Sequence, residues 1–558
     1  MEEMTGCSAF LKILEDEGVD YIFGNPGTTE LPIMDALIEH PGLKYVLGLQ
    51  ESVAMAMADG YSRASGKLSC ANFHVAPGLG NAIGAIYNAK FFGSPVIITA
   101  GQQERGFGLT EPMLYADLLP MARPVVKWAT EVQRPEDIPR VLRRAAKVAL
   151  TTPTGPVFVA LPADVLTGRA EMRLGSPTRL DSRSRPRGEA LEHLARRLLE
   201  SENPVIIASH EVYSSDALEE LAGVAEILGA AIYNQAVPYV AVFSTEHPLF
   251  MGEISRNQRR VREILEEHDL LFMVGGDGLR MSLHSPVELM PPDLPMIQVG
   301  TRDWEIGKNY PAEIALDADV KETLSALSPL LERRRSIEYE AGAKQRMEKL
   351  SHRNWSANRE SLISRTEPLK SQEPIEPDYL MMQIAREIPD AGVLVEEGIS
   401  STRNLLNFLQ VSHRHRLFGL ASGGIGCGLA AAVGIKLALP DRPLLAVIGD
   451  GSAMYSIQAL WSAANQNLQI LFVIINNGGY SILKERIFAL GGKALDSGKT
   501  IAMDFETPPI RFAQLARSLG VPAREVLKPD EVGPAIGEAL RASGPFLLDV
   551  RVRDIGKR

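Results

Sequence analysis

Two short apolar runs, residues 444–448 and 470–475, each end in a polar signature: Gly449-Asp450-Gly451-Ser452 after the first, Asn476-Asn477 after the second. Between them, residues 453–464 carry helical spacing, which predicts a strand, a helix and a second strand. A right-handed crossover makes those strands parallel and sets both of their ends at one edge of a sheet. Asp450 and Asn477 then converge despite their separation in sequence. One carboxylate, one amide oxygen and a backbone carbonyl near Gly479 suit Mg2+, a hard cation that keeps phosphate oxygens and water among its ligands. Gly451 and Ser452 would open the helix, whose free N–H groups favour an anion. Each half alone also reads as an ordinary turn, with Ser452 as a cap and Asn476-Asn477-Gly478-Gly479 following a strand.

The same alternation recurs along all 558 residues and predicts an α/β protein of three doubly wound parallel-sheet domains. The first, residues 1–170, has a helix over 8–17 stopped by Gly18 and a strand over 20–23 that runs into Gly24-Asn25-Pro26-Gly27. Strands follow at 45–49, 69–73, 95–99 and 156–160. Residues 168–189, rich in Arg, Ser and Pro, read as a linker. The second domain, residues 190–335, is Rossmann-like, with strands at 204–208, 270–274 and 295–299. A charged stretch over 332–377 reads as part helix and part linker. The third domain spans residues 375–558.

Composition narrows the ligand class. Hydrophobic residues make up 45% of the chain, enough for several cores, and no apolar run reaches the ~18 residues of a membrane span. Met1-Glu2-Glu3-Met4 is acidic where a secretory signal would be basic, so the expected location is cytoplasmic. Cys7, Cys70 and Cys427 lack metal-ligand spacing and read as small buried residues. A net charge of −11 disfavours nucleic acid and anionic membranes as partners and leaves small molecules.

Gly78-Leu79-Gly80-Asn81-Ala82-Ile83-Gly84 and Gly423-Gly424-Ile425-Gly426-Cys427-Gly428 both superficially resemble dinucleotide fingerprints. The first has the wrong last spacing, and no strand leads directly into the second, so close helix packing is the competing explanation for both. Glu51 follows a strand and begins a helix over 52–61 whose inward residues, Ala54, Ala56 and Ala58, are small. A first-turn carboxylate interacts favourably with the helix dipole whatever else it does. Here it shares a domain with the turn Gly24 to Glu30 and with His74, a residue type that suits proton transfer or contact with a substrate carboxylate.

These motifs resemble the thiamine diphosphate-dependent decarboxylase superfamily over nearly the whole chain, and within it the benzoylformate decarboxylases. The likeness is carried by Phe23-Gly24-Asn25-Pro26-Gly27, Leu49-Gln50-Glu51, Ala58-Asp59-Gly60-Tyr61, Ala100-Gly101-Gln102-Gln103, Lys127-Trp128, Ile448-Gly449-Asp450-Gly451-Ser452-Ala453 and Asn476-Asn477. It implies a pyrimidine-binding first domain, a central Rossmann-like domain and a diphosphate-binding third domain. It implies that Glu51 hydrogen-bonds the aminopyrimidine of thiamine diphosphate, that Ile425 wedges the cofactor into a bent shape, and that Asp450, Asn477 and the Gly479 carbonyl hold Mg2+. Ser400, Ser401, Gly424, Gly451, Ser452 and Tyr480 match cofactor-contacting positions. Thr28 stands where the family has a serine, and His284 lies near the place of a second histidine, although ungapped alignment gives Ser282 there.

Where the family places an aromatic residue on the substrate wall, this chain has Arg486, which suits either a substrate carboxylate or a solvated helix face beside Lys484 and Glu485. The activity implied is nonoxidative decarboxylation of a 2-keto acid, benzoylformate-like or branched, to an aldehyde and carbon dioxide. A carboligase of the acetolactate synthase or benzaldehyde lyase type is the nearest rival. Flavin-bearing oxidases share the architecture, but Val274-Gly275-Gly276-Asp277-Gly278 offers no firm flavin signature. A non-catalytic binding or regulatory protein on the same scaffold is the alternative of another class. The resemblance also implies a homodimer or homotetramer with active sites between chains.

Overall fold

A computed structural model describes residues 1–281 and 285–556. It contains three six-stranded sheets, each wholly parallel in its pairing. The first runs in the order Lys44–Leu47, Tyr21–Gly24, Ser69–Phe73, Val96–Gln102, Val157–Pro162, Trp128–Glu131. The third runs Leu417–Phe418, Val393–Glu397, Leu444–Gly449, Ile470–Asn476, Phe546–Arg551, Ala523–Val526. Counted along the chain, both have the order second, first, third, fourth, sixth, fifth, so two dissimilar stretches of sequence have one topology. The central sheet differs: its order is third, second, first, fourth, fifth, sixth, from Phe250–Glu253 to Ile314–Asp317.

The inner strands are buried on both faces and read as continuous apolar runs, as parallel sheets covered by helices require. In an open sheet of this kind, ligands lodge at the carboxyl ends of the strands where the order reverses. In the first domain that point lies between Tyr21–Gly24 and Ser69–Phe73, and the chain leaving those strands carries Asn25 and His74. In the third it lies between Val393–Glu397 and Leu444–Gly449, and the chain leaving them carries Ser400, Ser401 and Asp450.

First and third domains meet through the helices Glu51–Ser65 and Gly428–Ala438, and one hydrophobic core runs through all three domains. Glycine permits this approach. A Cβ at Gly434 would overlap the Met57 carbonyl, and one at Gly60 would overlap the carbonyl of Ala431. The buried pair Asp59 and Arg63 lies on the same helix, with Asp59 also accepting from Asn88 at 3.0 Å.

Four local expectations change. The linker contains a strand, Arg169–Met172, which pairs antiparallel with Glu2–Thr5. The stretch 332–377 is mostly helical, with Ile337–Ser351 and Trp355–Thr366 capped by Ser336 and Asn354, whose side-chain oxygens accept backbone N–H groups. The helix expected over 453–464 is two, Asp450–Ser456 and Ala459–Asn465, and the first already begins at Asp450. Gly78 to Gly84 lies inside the helix Val75–Phe92, where a phosphate-binding turn would have to precede one.

Candidate active site

In the third domain, Asp450 is 3% exposed and surrounded by amides. One carboxylate oxygen accepts from Gly451 N at 2.7 Å, and the other from Gly478 N at 2.7 Å and Gly479 N at 3.2 Å. Burial pushes its carboxyl up to about 6, against the pull of these amides and of Arg551. A buried carboxylate with only backbone donors at hand is short of positive charge. Asn477 joins the same corner: its amide nitrogen donates to Ser401 Oγ at 3.2 Å, while its oxygen accepts from Gly479 N at 3.1 Å. Asn476 serves a different task. It bonds Asp549 at 2.9 Å and Arg551 at 2.7 Å and so ties the strand to its neighbour.

The walls of this corner exclude side chains where a ligand must approach. A Cβ at Gly451 would lie 2.6 Å from the Tyr480 ring, which stands edge-on to Phe505 at 4.6 Å between centroids. Ser400, Ser401 and Ser452 are buried. Ile425 is half-buried against the core, in the loop that leads to the helix Gly428–Ala438. No cluster of three or more His, Cys, Asp or Glu suited to a metal occurs among the described residues. The donor set here is instead one carboxylate, one amide and one carbonyl, which fits Mg2+ held jointly with a diphosphate. Lys484, expected on a solvated face, is only 2% exposed on its side chain and holds Asp504 and Asp554, each at 2.6 Å. Glu485 pairs with Arg403, and Arg486 is half-buried.

In the first domain, Glu51 is the first residue of its helix, and the Gln50 side chain caps that helix by accepting from Ser52 N at 2.6 Å. The two Glu51 oxygens accept separately, from Asn25 Nδ2 at 3.3 Å and from Asn81 Nδ2 at 3.0 Å. A Cβ at Gly78 would touch Glu51 Oε1 at 3.4 Å, so this glycine gives the carboxylate room.

His74 sits on a residue that sequence reasoning passed over. Glu30 is 0% exposed, and its carboxylate gathers four donors: Gly27 N at 2.9 Å, Gly101 N at 2.9 Å, Thr29 Oγ1 at 2.7 Å and His74 Nδ1 at 2.9 Å. The Thr29 hydroxyl spends its proton on Glu30, so the short contact to His74 places a proton on Nδ1 and leaves Nε2 as the basic atom. Thr28, the expected hydroxyl, is exposed, and Thr29 is the one beside His74, at 3.1 Å. The signal in sequence was a carboxylate two residues past Thr28, but two of its partners, His74 and Gly101, come from other segments. His284 lies outside the described residues.

Both corners hold a β-branched residue with positive φ: Val75 at 41°, beside His74, and Ile399 at 55°, beside Ser400. Such backbone is costly and collects at functional sites. Within one chain, the hydrogen bonds around Glu51 and His74 share no residue with those around Asp450 and Asn477. The two corners form separate hydrogen-bonded clusters.

Comparison with known proteins assigns the domains that carry these two clusters. Residues 4–113 match the thiamine pyrophosphate enzyme N-terminal TPP binding domain, 191–327 the central domain and 400–550 the C-terminal TPP binding domain. The chain is 32% identical to a benzoylformate decarboxylase of Pseudomonas aeruginosa, over 98% of this chain and 99% of that one. It is 28% identical to a probable acetolactate synthase large subunit of Methanocaldococcus jannaschii, over 98% and 92%. Among solved structures, the thiamine diphosphate-dependent 4-hydroxybenzoylformate decarboxylase of Rhodococcus jostii RHA1 superposes with a TM-score of 0.86 at 30% identity, covering 99% of both chains. The benzoylformate decarboxylase of Polynucleobacter necessarius also gives 0.86, at 27% identity and 99% of both chains. The chain belongs to the thiamine pyrophosphate enzyme family and, within it, to the thiamine diphosphate-dependent decarboxylase superfamily.

Proposed function

We propose that the protein catalyses the nonoxidative decarboxylation of a 2-keto acid, aryl or branched, to an aldehyde and carbon dioxide, using thiamine diphosphate and Mg2+. The observation that carries this reading is the pairing of His74 with the buried Glu30 in the domain that also presents Glu51. The bound cofactor supplies an electron sink for the pair left when carbon dioxide departs. Everything else falls to the chain. Glu51 would accept from the aminopyrimidine of bound thiamine diphosphate, with Asn25 and Asn81 fixing the carboxylate. Asp450, the Asn477 oxygen and the Gly479 carbonyl would hold the metal, while Ser400, Ser401, Gly424, Gly451, Ser452 and Tyr480 would surround the cofactor and Ile425 would support it. His74 holds or returns a proton through Nε2, because Glu30 occupies Nδ1.

The proposal includes active sites between chains, with a homodimer as the least assembly that completes them; two residue clusters that share no hydrogen-bonded residue within one chain are compatible with it. No helix among the described residues is long and apolar enough to cross a membrane. The likeness to acetolactate synthases favours one second reading, a carboligase using the same site. Product analysis separates the two. Incubation of a 2-keto acid panel with protein, thiamine diphosphate and Mg2+ is expected to yield aldehydes; 2-hydroxy ketones as the main product would establish the ligase instead.

A further inference from the structure

Glu397 ends the strand Val393–Glu397, is 1% exposed, and has no ion-pair partner among the described residues. Burial is the main force on its carboxyl, which is pushed up to about 7; neighbouring Glu396 adds to the rise, and the Gly426 and Gly428 amides with the Ser452 hydroxyl oppose it. A buried acid without a cation is an expensive element, and a neutral residue of that shape would serve a merely structural strand end at less cost. What the carboxylate does is visible in its contacts. One oxygen accepts from Gly426 N and the other from Gly428 N, so it grips the chain on both sides of Cys427.

That grip falls one residue beyond Ile425. Gly426 has φ of 103° and no space for a Cβ, which would overlap Tyr455, so the loop passes between Glu397 and Tyr455 with little freedom. Upstream, the loop is pinned as well. Ser422 N donates to Asn88 Oδ1 at 3.1 Å, and Gly424 N to Ser422 Oγ at 3.1 Å. Ile425 is therefore the residue between two anchored ends. Through Ser452, Glu397 also reaches the helix that begins with Asp450, so one side chain sets the distance between the Ile425 loop and the diphosphate corner.

We propose that Glu397 is a positioning residue for Ile425, holding the 424–428 loop at the height the bent cofactor requires through its paired bonds to Gly426 and Gly428. This rests on the reading of Ile425 as the cofactor's support. Glu397 acts through the loop and touches no reacting atom.

The test combines Glu397→Gln, Glu397→Asp, Ile425→Ala and the Glu397→Gln/Ile425→Ala double variant, all as holoenzyme with thiamine diphosphate and Mg2+. A glutamine offers one acceptor where two amides need one each. Glu397→Gln is expected to speed hydrogen exchange in the peptide covering residues 424–428 by about tenfold or more, and to lower kcat about tenfold with KM for the 2-keto acid within about threefold. In the Ile425→Ala background the same change is expected to cost less than about twofold, because the two residues act as one unit. Losses that multiply, or exchange that stays at the wild-type rate, would overturn the proposal. Glu397→Asp keeps the charge one methylene further back and is expected to fold and fall between wild type and Glu397→Gln; wild-type kcat and exchange in that variant would also overturn it. Wild-type turnover in Ile425→Ala would instead sink the role assigned to Ile425, while the exchange data still decide whether Glu397 clamps the loop.

Discussion

Single residues here gain their chemistry from what surrounds them. Glu30 is an instance: with four donors on a fully buried carboxylate, it fixes the ring and the proton of His74. Glu30→Gln keeps the shape but puts a neutral amide beside Nδ1, so kcat is expected to fall about ten- to hundredfold. An unchanged kcat would remove the Glu30–His74 pair from proton handling. Asp450 makes a prediction in the absence of ligands. Its carboxyl is raised from 3.8 to about 6, so the folded protein binds the proton more tightly than the unfolded chain. The stability this lends is present below the unfolded value and is lost as pH rises through about 6, at a full cost of about 3 kcal/mol. The difference in denaturation midpoint between chelator-treated wild type and Asp450→Asn is expected to widen against wild type across that window, and a pH-independent difference would contradict it.

At the level of elements, the helices Glu51–Ser65 and Gly428–Ala438 tie the first domain to the third through glycines that no side chain can replace. Gly434→Val would drive two methyl groups into the Met57 carbonyl. It is expected to cost about 1–3 kcal/mol or more in urea denaturation, and a wild-type midpoint would mean that the contact is soft. This scale also shows what could be read from sequence. The inner strands and the end of the first helix were legible because a parallel sheet writes itself as apolar runs and a helix stop as Gly18, which lies in the left-handed region. The break between Asp450–Ser456 and Ala459–Asn465 leaves no trace in helical spacing, and Arg169–Met172 is a strand only because Glu2–Thr5 lies beside it. Asp450 and Asn477 stood out because they follow strands directly, and Glu51 because it opens a helix shortly after one. Glu30, Thr29 and Glu397 did not, since their partners are backbone amides and side chains brought in by tertiary folding. The burial of Lys484 depends likewise on Asp504 and Asp554, distant in the chain.

At the scale of the whole molecule, two domains of one topology each present candidate site residues at the edge where strand order reverses, and the proposed function joins the two sets between chains. If sites form between chains, two inactive variants can rescue one another. Glu51→Gln and Asp450→Ala, each inactive alone, are expected on mixed refolding to recover about a quarter of wild-type activity, since half of the dimers would be mixed and each of these would hold one intact site. No recovery despite demonstrated mixed dimers would place the whole site within one chain. Release of carbon dioxide from 2-keto acids, measured for wild type and Glu51→Gln side by side with thiamine diphosphate and Mg2+, tests the proposed chemistry most directly. Wild type is expected to release one carbon dioxide per aldehyde formed, and Glu51→Gln at least about a hundredfold more slowly with its fold intact; no release from any acid in a broad panel, or equal rates in the two proteins, would contradict it.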